Sequence, residues 1–300
     1  MIGRPNVMAP KVSVVIPTYN NASLLPETLD GVMRQSFQDF ELIVVDDGST
    51  DDTAQVVKNY EPEMIYCYQD NLGPAAARNR GASIARGDYI AFCDHDDVWN
   101  ERHLEVLLGC FASHPCVALA FDNARYFGDW ETESKLHIAP RRSHRLAKRR
   151  ITPRLIFWEY PIASMSVIMV KKDVFDRAGK LNERIMALDD YHFYLRLAAV
   201  EPVRFVNYIG CRKRVTAENL SHKVNIREAN VRYLEDIWQN NPAVVRVIGS
   251  VSFRLRLSRK YFKLGRYHRQ NCDHELAKEM FWKAYRTSIF SLRYLWHAVF

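Results

Sequence analysis

Between Val12 and Phe121 the chain alternates two hydrophobic periods. Five short apolar runs, VSVVI (12–16), ELIVV (41–45), MIYCY (64–68), YIAFC (89–93) and VALAF (117–121), are separated by stretches of helical spacing at 22–35, 49–60, 74–86 and 101–111. A strand with one wet face alternates polar and apolar residues, whereas a continuous apolar run must be covered on both faces. Such runs alternating with helices predict an α/β fold, a mostly parallel sheet flanked by helices. In open sheets of this kind ligands bind beyond the carboxyl ends of the strands, where the strand order switches.

The polar clusters of this region fall at those ends. PTYNN (17–21) follows the first run, DDGSTDD (46–52) the second and DHDD (94–97) the fourth. Any one of them is explained by turn formation and helix capping. Three at one mouth of one sheet point to a ligand. In DHDD three carboxylates share four positions, an arrangement tolerated where they are solvated, cap a helix, or flank a cation. Residues i and i+2 of extended chain face the same way, so Asp94 and Asp96 share a side. One can meet a hard divalent cation, with diphosphate oxygens completing the shell, while the other meets a ribose. Backbone groups of Pro17, Thr18 and Tyr19 and the carboxylate of Asp46 or Asp47 stand at the same end, and Gly48 permits the close turn between them. Neither Gly-x-Gly-x-x-Gly nor Gly-Lys-Ser/Thr occurs, which argues against a dinucleotide enzyme and a P-loop ATPase.

Beyond residue 121 the pattern loosens. Arg141 to Arg154 holds seven Lys/Arg and no acid, and reads as a flexible surface loop. SMSVIMV (164–170) reads as a strand and KKDVFDRAGKL (171–181) as a short helix and turn. ALDDYHFYLRLAAV (187–200) has helical spacing with Leu195, Leu197 and Ala198 on its buried side and two acids, Asp189 and Asp190, at its start. From 226 onward the spacing is all-helical. Residues 258–270 and 275–285 predict an antiparallel hairpin with Leu264, Gly265 and Ala277 at the packing seam.

Charge is uneven along the chain. The last fifty residues carry eleven Lys/Arg against three Asp/Glu, so the first 250 carry −1 of the +7 total. With Phe290, Arg293, Tyr294, Trp296 and Phe300 in the final segment, this region is expected to meet an anionic membrane surface. Nucleic acid is not an expected partner, since no nucleic-acid motif accompanies the charge. The six cysteines form no Cys-x-x-Cys pair, and Cys67, Cys93 and Cys116 read as buried small hydrophobes. The N-terminus lacks the apolar core of a secretion signal, and no apolar stretch approaches the ~20 residues of a membrane span. These features predict a cytoplasmic protein, peripheral at the inner face of the membrane.

Taken in order, VSVVIPTYNNASLLPETLDGVMRQSFQDFELIVVDDGSTDDT, NLGPAAARNRGASIARGDYIAFCDHDD and LDDYHFYLRL resemble family 2 glycosyltransferases of the GT-A fold, over roughly residues 11–222. The resemblance implies a GT-A, Rossmann-like domain at 1–225 with an α-helical C-terminal extension at 226–300. It implies a nucleotide-diphosphate sugar donor, most often a UDP-sugar, with Mn²⁺ or Mg²⁺, and a glycan or lipid-linked acceptor. Pro17, Tyr19 and Asp47, with Asp46, would contact the nucleoside, and Arg78 would lie near it. Asp94 would meet the ribose or the sugar, and Asp96 would ligate the metal. Asp190, second of the acidic pair with Asp189, would be the general base, which implies single displacement with inversion.

One departure concerns the metal. Such chains commonly end the domain with Arg-x-His-x-x-Asn-x-Ser, but RVTAENLS (214–221) has Thr216 in place of the His. Asp94 and His222 are then further candidates for the metal shell. His95, inside the Asp-x-Asp, is expected to face away from it. Two other readings remain at this stage: a non-catalytic sugar-nucleotide-binding subunit of a glycan-assembly complex, and transfer to a polyprenyl phosphate.

Overall fold

The computed structural model describes residues 9–60, 64–128, 135–216 and 224–288. The apolar runs form the strands expected of them: β1 (Val12–Thr18), β2 (Phe40–Asp46), β3 (Ile65–Tyr68) and β4 (Tyr89–Phe92). Helices α1 (Leu25–Met33), α2 (Thr53–Lys58) and α3 (Pro74–Ile84) connect them. β3, β2, β1 and β4 lie side by side in that order, all parallel. Every residue of β1 is buried, as a run covered on both faces requires. Gly81 of α3 lies directly on β1, where a Cβ would stand 2.3 Å from Val15 Cγ1.

The second half of the sheet is mixed. A two-residue strand, β5 (Val98–Trp99), and α4 (His103–Ser113) lead into β6 (Leu119–Gly128). Then come α5 (Pro140–Ala147), α6 (Pro153–Glu159), β7 (Ile168–Lys171), α7 (Lys172–Arg177), α8 (Asp189–Val200) and β8 (Val203–Val215). The full order is β3-β2-β1-β4-β7-β6-β8-β5. β7 is antiparallel to both β4 and β6, and β5 is antiparallel to β8, whereas β6 and β8 pair in parallel, so the sheet is mostly parallel as expected, with β7 and β5 running against the other strands.

Three local expectations are corrected. Arg141 to Arg154 is not a loop: α5 begins at Pro140, buries Ser143 and Leu146, and turns its basic residues outward. Only the first half of SMSVIMV departs from strand, as a 3-10 turn over Met165–Val167 before β7. Of the three cysteines expected inside, Cys93 is buried, Cys67 is partly buried and Cys116 is exposed.

The C-terminal region forms α9 (Ile226–Asn240), α10 (Pro242–Ile248), α11 (Ser250–Gln270) and α12 (His274–Thr287). α11 and α12 make the expected hairpin, and a Cβ on Gly265 would stand 2.8 Å from Phe281 Cε1. Val231, Leu234, Ile237, Val244, Ile248 and Phe253 join the same core as the sheet. Buried Arg256 of α11 lies 4.4 Å from the ring centre of Phe157 and 4.7 Å from that of Tyr160, which ties α11 to α6. The aromatic segment Phe290, Arg293, Tyr294, Trp296 and Phe300 lies outside the described residues. Among the described residues no helix is long and apolar enough to cross a membrane.

Candidate active site

Strand order switches between β1 and β4. The chain leaves β1 toward β2 and β3, then returns to place β4 on the other side. The crevice predicted for such a switch lies beyond Thr18 and Phe92. The loops after β1 and β2 are laced together there. Asn20 Oδ1 accepts from the Thr50 N–H at 2.7 Å, and the Asn20 N–H donates to Ser49 Oγ at 2.9 Å. Gly48 adopts φ +85°, with Asn71 N 2.9 Å from where a Cβ would be, so this turn needs glycine.

Asp46 and Asp47 build the wall of this crevice. Asp46 accepts from the Ser49 N–H at 2.8 Å and from the Tyr66 hydroxyl at 2.7 Å. Asp47 accepts from Gln69 Nε2, the Leu72 N–H and the Gly73 N–H at 2.7, 3.0 and 2.8 Å, which draws the start of α3 against β2. Both carboxylates are nearly buried, whereas the Tyr19 ring is 44% exposed at the mouth. Thr18 is buried beside them. The Tyr19 N–H faces His95 Nδ1 at 3.3 Å across the switch. Burial lowers the pKa of His95, so its Nδ1 is a neutral acceptor, engaged with the opposite rim.

Arg78, on α3, connects the two acidic groups that sequence alone leaves separate. Its guanidinium donates to Asp94 Oδ1 at 2.6 Å and lies 3.4 Å from Asp189 Oδ2. The end of β4 and the start of α8, about a hundred residues apart in the chain, therefore meet at one side chain. Burial disfavours the charge on Asp94, but Arg78 and Lys213 outweigh it and hold that carboxyl below the usual range. Asp189 is raised, by burial more than Arg78 can offset. Asp190 is pushed up to about 7, first by burial and second by the charge of Asp189. Its Oδ1 accepts from the Tyr191 N–H at 2.7 Å. Leu188, immediately before the pair, has φ +65°, an uncommon conformation for a bulky side chain and a sign of a constrained turn.

Asp96 sits in the turn after β4, partly buried, and burial together with Asp94 raises its pKa. The turn is pinned from β8, where Arg214 Nε donates to the Asp96 carbonyl at 3.0 Å and the Arg214 N–H donates to Asp97 Oδ1 at 2.9 Å. Ser166 Oγ accepts from the Asp94 N–H at 2.9 Å. Three contributors were missed in the sequence reading: Asp97, Lys213 and Ser166. Asp97 was in plain view within DHDD, and Lys213 adjoins Arg214, but β8 was not recognised as a strand.

The described residues contain no ready-made cluster of three His, Cys, Asp or Glu side chains for a metal. Thr216 follows β8, and His222 lies outside the described residues. The donor set nonetheless fits a divalent cation of the kind that needs one or two carboxylates plus substrate phosphates. Asp96 supplies an oxygen donor; burial above all raises its pKa, with Asp94 adding to this against the opposing charge of Lys213, and a bound cation would favour its ionised form.

The family model for Glycosyl transferase family 2 matches residues 13–179, more than half of the chain. A glycosyltransferase of Rickettsia prowazekii is 24% identical over 242 residues, spanning 78% of this chain and 72% of the relative. Another, from Rickettsia felis, is matched over 36% of its own length. Among solved structures, residues 1-349 of Staphylococcus aureus TarS in complex with UDP-GlcNAc superpose with a TM-score of 0.65 at 18% identity, covering 92% of this chain and 82% of that TarS chain. The Pyrobaculum calidifontis mannosyltransferase PcManGT, in complex with GDP-Man and Mn²⁺, gives 0.62 at 19% identity over 96% of this chain and 78% of its own. Motif order, fold and family model agree: this chain belongs to glycosyl transferase family 2 and has the GT-A fold.

Proposed function

We propose that this chain is an inverting glycosyltransferase that moves a sugar from a nucleotide-diphosphate sugar, with a UDP-sugar as the first candidate, to a hydroxyl of a glycan or lipid-linked acceptor. The observation that carries the reading is Arg78, which joins the Asp-x-Asp corner to the acidic pair of α8. Donor and base would thereby share one crevice. Pro17, Thr18 and Tyr19, backed by Asp46 and Asp47, would receive the nucleoside, and Asp94 the ribose or sugar. Asp96 would hold Mn²⁺ or Mg²⁺, which when bound neutralises charge on the diphosphate.

Asp190 takes the proton from the acceptor hydroxyl. The acceptor oxygen forms the new bond to the anomeric carbon as the bond to the β-phosphate oxygen breaks. The electron pair leaves with the nucleoside diphosphate, and one displacement inverts the centre. A carboxyl raised to about 7 suits the task, since a general base works best with a pKa near the working pH. Burial first, and the charge of Asp189 second, explain why Asp190 resists ionising.

The test is turnover of a panel of nucleotide sugars with Mn²⁺, with Mg²⁺ and with EDTA, in wild type, Asp96→Ala and Asp190→Asn. Metal-stimulated turnover of one donor, lost in both variants, supports the reading. Wild-type turnover in Asp96→Ala sinks the metal assignment, and an unchanged rate in Asp190→Asn moves the base elsewhere.

A further inference from the structure

We propose that Lys213 is a tethered counter-cation that binds the donor diphosphate directly, so that nucleoside diphosphates bind this chain without a metal ion. The inference rests on the nucleotide-sugar reading above and adds a diphosphate-binding residue to it.

β8 passes the Asp-x-Asp corner at its C-terminal third. Arg212 and Arg214 point to one side and stack on Phe127, each 4.4 Å from the ring centre. Lys213, between them, points to the other side, as alternation along a strand requires. Its Nζ lies 3.5 Å from Asp97 Oδ2 and 3.9 Å from Asp94 Oδ2. Both distances exceed those of a formed N–H···O⁻ bond, about 2.7–2.9 Å. The ammonium is held by charge, and its donors are not committed to either carboxylate.

A lysine placed for stability alone would close on Asp97. That carboxylate is fully buried, its Oδ1 accepts from the Arg214 N–H, and its Oδ2 has no hydrogen bond. Lys213 instead stops short of Oδ2, with 21% of its side chain exposed and its Nζ 3.9 Å from Asp94 Oδ2. A compact, partly exposed ammonium with three donors beside Asp94 matches a phosphate oxygen. Where the family pattern would put an imidazole, Thr216 offers only a hydroxyl, and Lys213 supplies positive charge three residues earlier on the same segment.

Calorimetric titration of the full chain in EDTA tests this, with UDP against UMP and GDP against GMP. Wild type is expected to bind one diphosphate roughly tenfold to hundredfold tighter than its monophosphate, the effect of one charge-assisted hydrogen bond. Lys213→Met should abolish that preference and Lys213→Arg should keep most of it. Thermal melts report folding, and Lys213→Gln serves if the methionine variant does not fold. A preference that survives in a folded Met or Gln variant overturns the proposal. So does a wild type that prefers the diphosphate only after Mn²⁺ is added, and in that case the nucleotide-sugar reading stands. Absence of nucleotide binding with EDTA and with Mn²⁺ alike overturns both.

Discussion

Replacing Asp190 by Asn should stabilise this protein, and the gain should depend on pH. Asp190 is raised from 3.8 to about 7 by burial and by Asp189. A raised carboxyl penalises the folded state in its charged form. The penalty is absent below the unfolded value, grows as pH rises from about 4 to about 7, and is complete above that. Three units correspond to about 4 kcal/mol. The side chain retains some solvent contact, which reduces this to about 2 kcal/mol. For a chain of this size that is a rise in Tm of about 3 °C at pH 8, shrinking toward zero below about pH 4. The asparagine keeps Oδ1 and its bond to the Tyr191 N–H, so little else changes. Scanning calorimetry of both proteins across that pH range reads the gap, and the same variant should lose turnover. A gap that does not change with pH, or a less stable variant at pH 8, would refute the account of Asp190 as a carboxyl held in an unfavourable environment.

Other perturbations follow from the same geometry. Arg78→Ala removes the cation that joins Asp94 to Asp189, leaving Asp94 only Lys213 at 3.9 Å. It should cost about 3–5 kcal/mol in urea unfolding at pH 7, less at pH 5 as the carboxyls take up protons. Gly81→Ala puts a methyl 2.3 Å from Val15 Cγ1. It should destabilise by about 1–3 kcal/mol and, by displacing the helix that carries Arg78, weaken nucleotide binding measured by calorimetry. Asp236→Ala removes the partner 2.6 Å from His192 Nε2, the link between α9 and the helix that bears Asp190. A loss of about 1–3 kcal/mol is expected, and a fall in kcat beyond that of an equally destabilised control would mean that the C-terminal helices position the base.

Much of the first half of the molecule was legible because its signals are local. VSVVI and ELIVV are buried on both faces wherever they sit, and polar residues after them can only form the turn at the strand's end. The second half was harder to read. β8 carries RFVNYIGCRKRV, whose alternation is broken by Gly210 and by three consecutive basic residues. Arg141 to Arg154 looked like coil because its charge hid a helix that buries only Ser143 and Leu146. Among the site residues, Asp94, Asp96 and Asp190 were identifiable from motif order, whereas Lys213 carries no motif of its own.

From its sequence alone this protein's class, its sheet mouth and the acids gathered there were legible, since each depends on residues close together in the chain. Only the tertiary structure decided which carboxylates are charged. Asp94 is lowered because Arg78 from α3 and Lys213 from β8 converge on it, and Asp190 is raised because α8 packs it beside Asp189 away from water. Burial and the distance between charges set these states, and both are properties of segments that meet only when the chain is folded.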